Sequence, residues 1–478
     1  MRLQKLSRLL WALTLVSLPI TSFRYLPFMG AGTVVRPLAL YPLAALLLVL
    51  FIMLLRREIR FPRLGSATVL TAFVLAAIAA TALGATLAPI ELRGADYWER
   101  ALRAFVTLAI GLSFFVAAAW MNQNQAQVKF SVRWLMVGLL GHLVWGAVQF
   151  YGLNHGYRAE LREFQELFSV RGLVKNKRIS GFTFEPSWLA AQLATLYLPW
   201  LVAGLLNPKV FSKSFGLWAN LLLLLGSLAA LLATYSRSGL AVVALAAGIS
   251  VVVAGRPFLQ SAWGWFLAGF RDSAAKSRLN WIQAAGSRAL LILVAIGVIA
   301  GAGAFLSDKG YIARLWTSDR SDFWGYISST SLGPRIAYAA GAMPAFDFNP
   351  LSGVGLGASG FWIYPNMPDE LLMGEPEIAA ALAPRSGLFP NPKNLYVRLL
   401  AETGLAGLTL FLAFWLGILA DGLAALRRTS VFSRFLGAAA VFTLTALVFQ
   451  SVSIDSFALP ELWLNLGILA GIFSRSEK

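Results

Sequence analysis

The sequence predicts an all-α polytopic membrane protein, and both its composition and its apolar runs support this fold class. Of the 478 residues, 58% are hydrophobic and 13% are charged, whereas a soluble domain carries about 25% charged residues. Apolar runs of about twenty residues recur along the whole chain, and a helix of that length crosses a bilayer. The sequence contains no cysteine, so disulfides, thiolate metal sites and cysteine nucleophiles are excluded.

About twelve transmembrane helices are predicted from the apolar runs, in one membrane domain over residues 1–478. The first follows Arg2, Lys5 and Arg8 and shows no small-residue cleavage site, so we expect a retained helix rather than a signal peptide. No internal repeat is visible, which weakens the case for a repeat-built transporter. The spans lie at about 8–28, 37–55, 66–88, 101–121, 134–153, 185–206, 217–234, 240–255, 289–306, 396–420, 435–452 and 461–474.

The distribution of charge predicts which ends of the helices face the cytoplasm. With the N-terminus inside, the cytoplasmic segments hold nearly all of the net charge of +18, as the positive-inside rule expects. The basicity is therefore a topogenic signal, and no nucleic acid partner is predicted. The other ends of the helices form what we call the predicted outer face. It consists of the connections that follow the first, third, fifth, seventh, ninth and eleventh predicted spans.

Three segments interrupt the alternation of spans and short turns. Residues 154–184 form an outer loop with a basic run made of Arg171, Lys175, Lys177 and Arg178. Residues 256–288 form a cytoplasmic segment whose tryptophans and basic residues predict an amphipathic helix on the inner leaflet. Residues 307–395 form the largest outer segment, which is too long for a structureless loop. We expect short helices there, packed over the mouth of the bundle.

Arg237 stands between two apolar stretches, in the segment 234–239 with the sequence TYSRSG. An arginine at membrane depth costs roughly 2.5 to 15 kcal/mol unless a negative group compensates it. Its planar fork donates two parallel hydrogen bonds to a phosphate, so we predict an anionic, membrane-delivered substrate there, with Ser236 as a neighbouring contact. Gly239 is expected to form a tight turn that directs the arginine inward. The alternative is a helix-end arginine that extends to the membrane interface.

A second arginine, Arg335, follows Gly333 and Pro334 and begins a run to Phe346 with apolar residues at helical spacing. The pattern predicts a helix with Arg335 in its first turn. Two arginines on one face of the protein, Arg237 and Arg335, would be able to clamp a pyrophosphate from both sides. The alternative is a solvated loop arginine.

Glu185 lies in the sequence Phe-Thr-Phe-Glu-Pro-Ser, directly before a predicted span. One interpretation is a carboxylate at a helix start, where the helix dipole favours it. The other is a general base, because the two histidines are poor candidates for that role. His142 lies mid-span, where we expect a helix–helix hydrogen bond, and His155 is expected at an interface. The basic run over residues 171–178 would hold a second substrate close to Glu185.

Two further patterns predict structure rather than chemistry. Residues 355–360 match the spacing of a dinucleotide fingerprint, but no strand precedes them, so we predict a glycine-rich turn that lets two backbones approach closely. Four acids are expected to be solvated because their spacing matches no calcium loop, namely Asp369, Glu370, Glu375 and Glu377. The chain has no Asp-x-Asp pair, and neither a metal nor a cofactor is predicted.

Four motifs occur in an order that resembles the O-antigen ligase and polymerase superfamily, over about residues 170–420. They are Ser-Arg-Ser-Gly at 236–239, Gly-Pro-Arg at 333–335, Pro-Leu-Ser-Gly-Val-Gly-Leu-Gly at 350–357, and Asn-Leu-Tyr at 394–396 followed by Ala-Glu-Thr-Gly-Leu-Ala-Gly at 401–407. The predicted spans and the single large outer segment agree with this resemblance.

The resemblance implies a membrane glycosyltransferase of the GT-C-like type that acts at the outer, periplasmic face of the bacterial inner membrane. Its donor would be an undecaprenyl-pyrophosphate-linked oligosaccharide in the membrane lipid, with no nucleotide sugar and no metal. By their motifs, Arg237 and Arg335 match the arginines that hold the pyrophosphate leaving group. A chain-length regulator protein is a further partner that the resemblance implies.

The chain departs from the ligase pattern at Lys393, because ligases of this family have histidine before the asparagine that matches Asn394. That histidine helps to activate the acceptor, whereas a lysine binds phosphate and acts as a base only when its ionisation is strongly perturbed. Residues 181–187 resemble the Phe-x-Glu-Pro-Ser element of polysaccharide polymerases. We therefore expect a polymerase of lipid-linked repeat units rather than a ligase that delivers glycan to a lipid A core. A lipid flippase is the alternative of another class, and the gathering of the candidate residues at one face counts against it.

Overall fold

The computed structural model describes residues 2–25, 35–60, 62, 64–87, 91–172, 177–211, 214–271, 332–368, 376–383 and 386–474, and short pieces of 285–304. In this part of the chain the regular secondary structure is helical, and the only strand-like pairings are isolated bridges, such as the one between Phe23 and Ser169. The helical content of the described residues confirms the prediction of an all-α polytopic membrane protein.

Seventeen helices are numbered here in chain order. They are α1 Arg2–Ser17, α2 Leu40–Leu55, α3 Gly65–Gly84, α4 Tyr97–Met121, α5 Gln125–His155, α6 Arg158–Phe168, α7 Pro186–Gln192, α8 Leu198–Leu206, α9 Ser214–Ala233, α10 Arg237–Ala254, α11 Arg256–Arg271, α12 Gly333–Phe348, α13 Gly360–Ile363, α14 Pro376–Leu382, α15 Leu395–Leu426, α16 Val431–Gln450 and α17 Pro460–Phe473.

Eight of the described helices are long and apolar enough to cross a membrane: α3, α4, α5, the unit formed by α7 and α8, α9, α10, α15 and α16. Two shorter apolar helices, α2 and α17, coincide with further predicted spans. The predicted span at 289–306 lies partly outside the described residues. The total of twelve spans and the GT-C-like arrangement therefore stay predictions.

The prediction that the first span runs continuously over residues 8–28 is wrong. Helix α1 ends at Ser17, two residues before Pro19. Proline has no backbone N–H and its ring clashes with the preceding turn, so a helix ends at or before the residue that precedes it. The chain continues in extended form, and Phe23 N donates to Arg36 O at 2.8 Å.

The connections between helices contact one another in two separate groups, as the predicted topology requires. Contacts on the predicted outer face join residues 21–24 to 168–184, 178–179 to 233–234, 93 to 381–388, and 393–395 to 451–455. At the other ends of the helices, residues 125–129 and 209–210 line one cavity together with 430–432. Helix α10 therefore begins at the face where α16 ends.

Helices α7 and α8 are joined by a π-helical turn, Leu193–Tyr197, and the sequence explains it. Pro199 cannot donate to the carbonyl of Thr195, four residues earlier. That carbonyl instead accepts a hydrogen bond from the amide of Asn465 on α17 at 2.7 Å, and Trp200 Nε1 donates to the amide oxygen of Asn465 at 2.9 Å. These two hydrogen bonds anchor α17 in the centre of the bundle, and α17 also packs along α4.

Candidate active site

The turn before α10 determines the position of Arg237. Tyr235 adopts a left-handed backbone conformation with φ of 49°, and the Ser236 hydroxyl caps α10 by accepting from Gly239 N at 3.3 Å. The prediction that Gly239 forms the turn is wrong, because Gly239 lies inside the helix. A side chain there would meet Ala190 of α7, whose Cβ lies 2.5 Å from the added Cβ position. The glycine therefore serves the close packing of α7 against α10.

Arg237 is the first residue of α10 and is half-buried. Its Nη1 is shielded from solvent, and no described residue offers that atom a hydrogen-bond acceptor. A buried charged donor without a partner is costly. An acceptor for this end of the guanidinium therefore has to come from outside the described residues.

The loop before α7 packs against the Arg237 turn. Arg178 Nε donates to Thr234 O at 2.7 Å, and Ile179 N donates to Ala233 O at 3.2 Å. Lys177 is exposed, and Lys175 lies outside the described residues. The residues of the predicted basic run therefore differ in their surroundings. Lys177 is exposed, whereas Arg178 holds the backbone of the turn before Arg237.

Glu185 stands at the N-cap position of α7, but its carboxylate does not cap the helix. It accepts instead from the hydroxyl of Ser187 and from Arg171 Nη1 at 3.3 Å. The Arg171 guanidinium also lies 4.8 Å from the centre of the Phe184 ring. Glu185 is about one-third exposed, with 34% of its side-chain surface accessible, so its carboxylate is not closed off by the packing around it. The role of general base stays a prediction.

His142 supports the same loop. It is buried on α5, and its Nδ1 accepts from Phe182 N at 3.4 Å. The expected helix–helix hydrogen bond is therefore wrong, because the partner lies in the loop that leads to Glu185. Gly181, with φ of 55°, lets the backbone pass directly over the imidazole.

Arg335 lies in the first turn of α12, after Pro334, so the predicted helix is confirmed. Tyr338 follows one turn later and shares the same side of the helix. Lys393 Nζ lies 4.3 Å from the centre of the Tyr338 ring. The structure thus places Lys393 against the helix that carries Arg335 in its first turn.

Lys393 adopts a left-handed conformation with φ of 54°, which is strained for a residue with a side chain. Its backbone N–H donates to Asp455 Oδ2 at 2.8 Å. The next residue, Asn394, caps α15 through its side-chain oxygen, which accepts from Tyr396 N and Val397 N at 3.0 and 3.2 Å. A contact of Asn394 with substrate is untested, whereas its role in starting the helix is evident.

A buried network of charges supports Lys393, and sequence analysis missed it. Arg398 Nε donates to Glu402 Oε2 at 3.0 Å and its Nη1 donates to the backbone oxygen of Asp455. Ser359 Oγ donates to Glu402 Oε1 at 2.7 Å. Burial raises the pKa of the Asp455 carboxyl, and the nearby Arg398 partly offsets this shift. Two sequence signals were present: the spacing of Arg398 and Glu402 along one helix face, and an acid in the short connection between the last two spans.

Two backbones come together at the start of the glycine-rich turn that was predicted at residues 355–360. Val354 N and Gly355 N donate to the carbonyls of Ala401 and Glu402 at 2.9 and 3.0 Å. Gly353 has φ of 66°, and a side chain there would overlap the backbone of Glu402. The segment thus packs on residues 401–402 of α15, and Glu402 is a member of the charged network.

Most of the predicted residues, together with Tyr338, Arg398 and Asp455, form two clusters at one end of α16. We call them the Arg237 cluster (Arg171, Arg178, Glu185, Ser236 and Arg237) and the Lys393 cluster (Arg335, Tyr338, Lys393, Arg398 and Asp455). Helix α10 packs along α16 and begins where α16 ends. Leu395 N donates to Ser451 O, one residue after α16, at 2.9 Å. Both clusters therefore flank the same helix end, while the approach of Arg237 to Arg335 stays a prediction.

Comparison with known proteins gives one family. Residues 221–412 match the model of a family described as O-antigen ligase. This match supports membership of the O-antigen ligase and polymerase superfamily. The matched range contains Arg237, Arg335 and Lys393 but begins after Glu185. Members of this superfamily are membrane enzymes that transfer glycosyl groups, and no curated protein matches the chain.

Proposed function

We propose that this protein polymerises oligosaccharide repeat units linked to undecaprenyl pyrophosphate, at the periplasmic face of the bacterial inner membrane. The observation that carries the proposal is Arg237, a half-buried arginine at a membrane-helix start whose Nη1 has no acceptor among the described residues. Phosphate oxygens would satisfy this donor, and arginine binds them through two parallel hydrogen bonds.

The proposed reaction is a single glycosyl transfer. A hydroxyl oxygen at the non-reducing end of one lipid-linked unit attacks C1 of the sugar that is bonded to the donor pyrophosphate. The new C1–O bond forms as the bond from C1 to the pyrophosphate oxygen breaks, and undecaprenyl pyrophosphate leaves with the electron pair. The hydroxyl proton passes to a base. Arg237 and Arg335 stabilise the negative charge that develops on the leaving group, so the reaction needs no divalent metal.

Glu185 is the proposed base. Its carboxylate is partly exposed and held by Ser187 and Arg171, which orients it while leaving it open to a substrate hydroxyl. The motif around it resembles a polymerase element, and its loop packs directly on the Arg237 turn. Asp455 is less suited, because it is buried, whereas the Glu185 side chain is about one-third exposed.

Lys393 is the proposed contact on the acceptor side. Its strained backbone, its bond to Asp455 and its position over Tyr338 hold its ammonium in one place. An ammonium at this point attracts a negatively charged acceptor, whereas the histidine of ligases serves a neutral hydroxyl. This difference supports an acceptor that is itself linked to a pyrophosphate, as polymerisation requires.

A ligase that transfers glycan to a lipid A core or another acceptor is the second candidate. The observation that favours it is the family match itself, since the matching family is described as O-antigen ligase. Both candidates share the donor and the leaving group, and they differ only in the acceptor.

The test is a transfer assay with purified protein in lipid nanodiscs, a lipid-linked repeat unit and a lipid A core acceptor, in buffer with EDTA. The proposal predicts a ladder of lipid-linked products that grows by one repeat unit per step. Transfer to the lipid A core without a ladder would establish the ligase instead. Movement of the donor between leaflets without any transfer would overturn both candidates.

A further inference from the structure

A third arginine at the predicted outer face, Arg100 of α4, is held in place by an aromatic ring. Its guanidinium carbon lies 3.8 Å from the centre of the Phe389 ring. Phe389 is itself fixed, because it meets Phe361 edge-on with 5.0 Å between ring centroids, and a side chain at Gly360 would overlap it. Stacking on an aromatic face orients a guanidinium while its N–H groups stay free to donate.

The acids around Arg100 are engaged with other residues. Glu99 pairs with Arg103 one turn along α4, and Glu402 pairs with Arg398. Arg100 Nε is shielded from solvent, and the described part of the chain offers it no acceptor. A buried N–H that lacks an acceptor is unfavourable, so the geometry favours an oxyanion supplied by a bound molecule.

The position of Arg100 matches the depth of lipid phosphates. Trp98 and Leu102, two residues before and after it on α4, are 61% and 66% exposed, and α4 is a candidate membrane span. Tryptophans of this kind mark the membrane–water interface. Arg100 in the first turn of α4 therefore lies where the headgroup of a membrane-bound lipid is found.

Arg100 belongs to the acceptor side of the site rather than to the Arg237 cluster. Phe389 precedes Lys393 by four residues in the same segment. Helix α4 packs along α17, whereas α10, which carries Arg237, packs along α16. This placement favours a second phosphate at Arg100, separate from the one assigned to Arg237.

We propose that Arg100 binds the pyrophosphate of the acceptor lipid and so places the acceptor sugar for attack. This inference rests on the proposed polymerase function, in which both substrates carry a pyrophosphate. The shared ligand chemistry is a lipid phosphate, and an ordinary anionic phospholipid is the other source of it.

The test compares two acceptors in nanodiscs of phosphatidylcholine alone. One acceptor is the undecaprenyl-pyrophosphate-linked repeat unit, and the other is the same oligosaccharide without lipid or phosphate. The donor carries a blocked non-reducing end, so that it cannot act as acceptor. For Arg100→Gln we expect a rise of about tenfold in KM for the pyrophosphate-linked acceptor, the loss typical of one charge-assisted contact. We expect no change with the phosphate-free acceptor.

Arg103→Gln is the matched control, because Arg103 lies on the same helix but is exposed and paired with Glu99. A wild-type rate with the phosphate-free acceptor shows that the Arg100→Gln protein is folded. An unchanged KM in Arg100→Gln overturns the inference and leaves the polymerase standing. A defect that appears only when phosphatidylglycerol is added would assign Arg100 to bulk lipid and overturn it as well. Transfer by the wild type to a lipid A core, without chain growth, would overturn the polymerase and with it the acceptor that Arg100 requires.

Discussion

The backbone N–H of Lys393 donates to the carboxylate of Asp455, 62 residues further along the chain, at 2.8 Å. The bond joins the segment before α15 to the connection between α16 and α17 and supports a strained lysine backbone. We expect Asp455→Ala to lower the free energy of unfolding by about 1–3 kcal/mol, because a buried donor loses its acceptor. Asp455→Asn keeps an oxygen and should cost less. Thermal unfolding in nanodiscs measures both, and equal losses would contradict this role of the bond.

The same carboxyl predicts a pH dependence. Burial raises the pKa of Asp455 above its ordinary value of about 3.8, although Arg398 opposes the shift. The folded protein thus binds this proton more tightly than the unfolded chain, and stability falls as the pH rises through the raised pKa. Relative to Asp455→Asn, the wild type should lose thermal stability as the pH increases above about 4. A difference between the two proteins that is independent of pH would show that the carboxyl is not perturbed.

Arg237 provides the sharpest test by substitution. Arg237→Lys keeps the positive charge but removes the planar pair of donors, so we expect glycosyl transfer to fall about tenfold or more. The control is Arg256→Lys, at the predicted cytoplasmic side beyond the far end of α10, where the arginine is exposed. Transfer rates with a lipid-linked donor measure the effect. Full activity in Arg237→Lys would show that transfer does not depend on two parallel hydrogen bonds from Arg237 to a phosphate.

Glu185→Gln separates catalysis from substrate binding. The amide keeps the shape of the side chain but cannot take a proton from the acceptor hydroxyl, so chain growth should stop while donor binding stays nearly normal. Glu163→Gln on α6, an exposed acid in the same outer region, is the control. Binding of labelled donor and the length of the product chains are the two measurements. Normal polymer from Glu185→Gln would leave Glu185 as a residue that only anchors Arg171 and the start of α7.

The predictable part of the fold is the part set by hydropathy and charge. Apolar runs predicted the approximate limits of most helices. The basic residues divided the connections between helices into two groups, and the connections within each group contact one another as expected. Two local features needed more than a hydropathy pattern. Pro19 ended α1 earlier than its apolar run suggested, and Tyr235 rather than Gly239 formed the turn before Arg237.

The candidate site was predictable where a motif carried it and hidden where it depended on contacts between distant segments. Arg237, Arg335 and Lys393 stand in recognisable motifs. Asp455 and Arg100 belong to no motif, because their surroundings come from chain segments 62 and about 290 residues away. No local pattern reveals that Arg100 stacks on Phe389, since only the closure of the large outer segment over α4 brings them together.

Arg237 and Arg335 are proposed to hold the donor pyrophosphate, and a cryo-EM structure of the protein with undecaprenyl pyrophosphate bound would show whether they do. We expect phosphate oxygens within hydrogen-bonding distance, about 2.7–2.9 Å, of Arg237 Nη1 and of the Arg335 guanidinium. We also expect the polyprenyl chain to leave the site sideways, between helices, into the lipid. A pyrophosphate bound elsewhere, or two guanidinium groups too far apart to share it, would contradict the proposal.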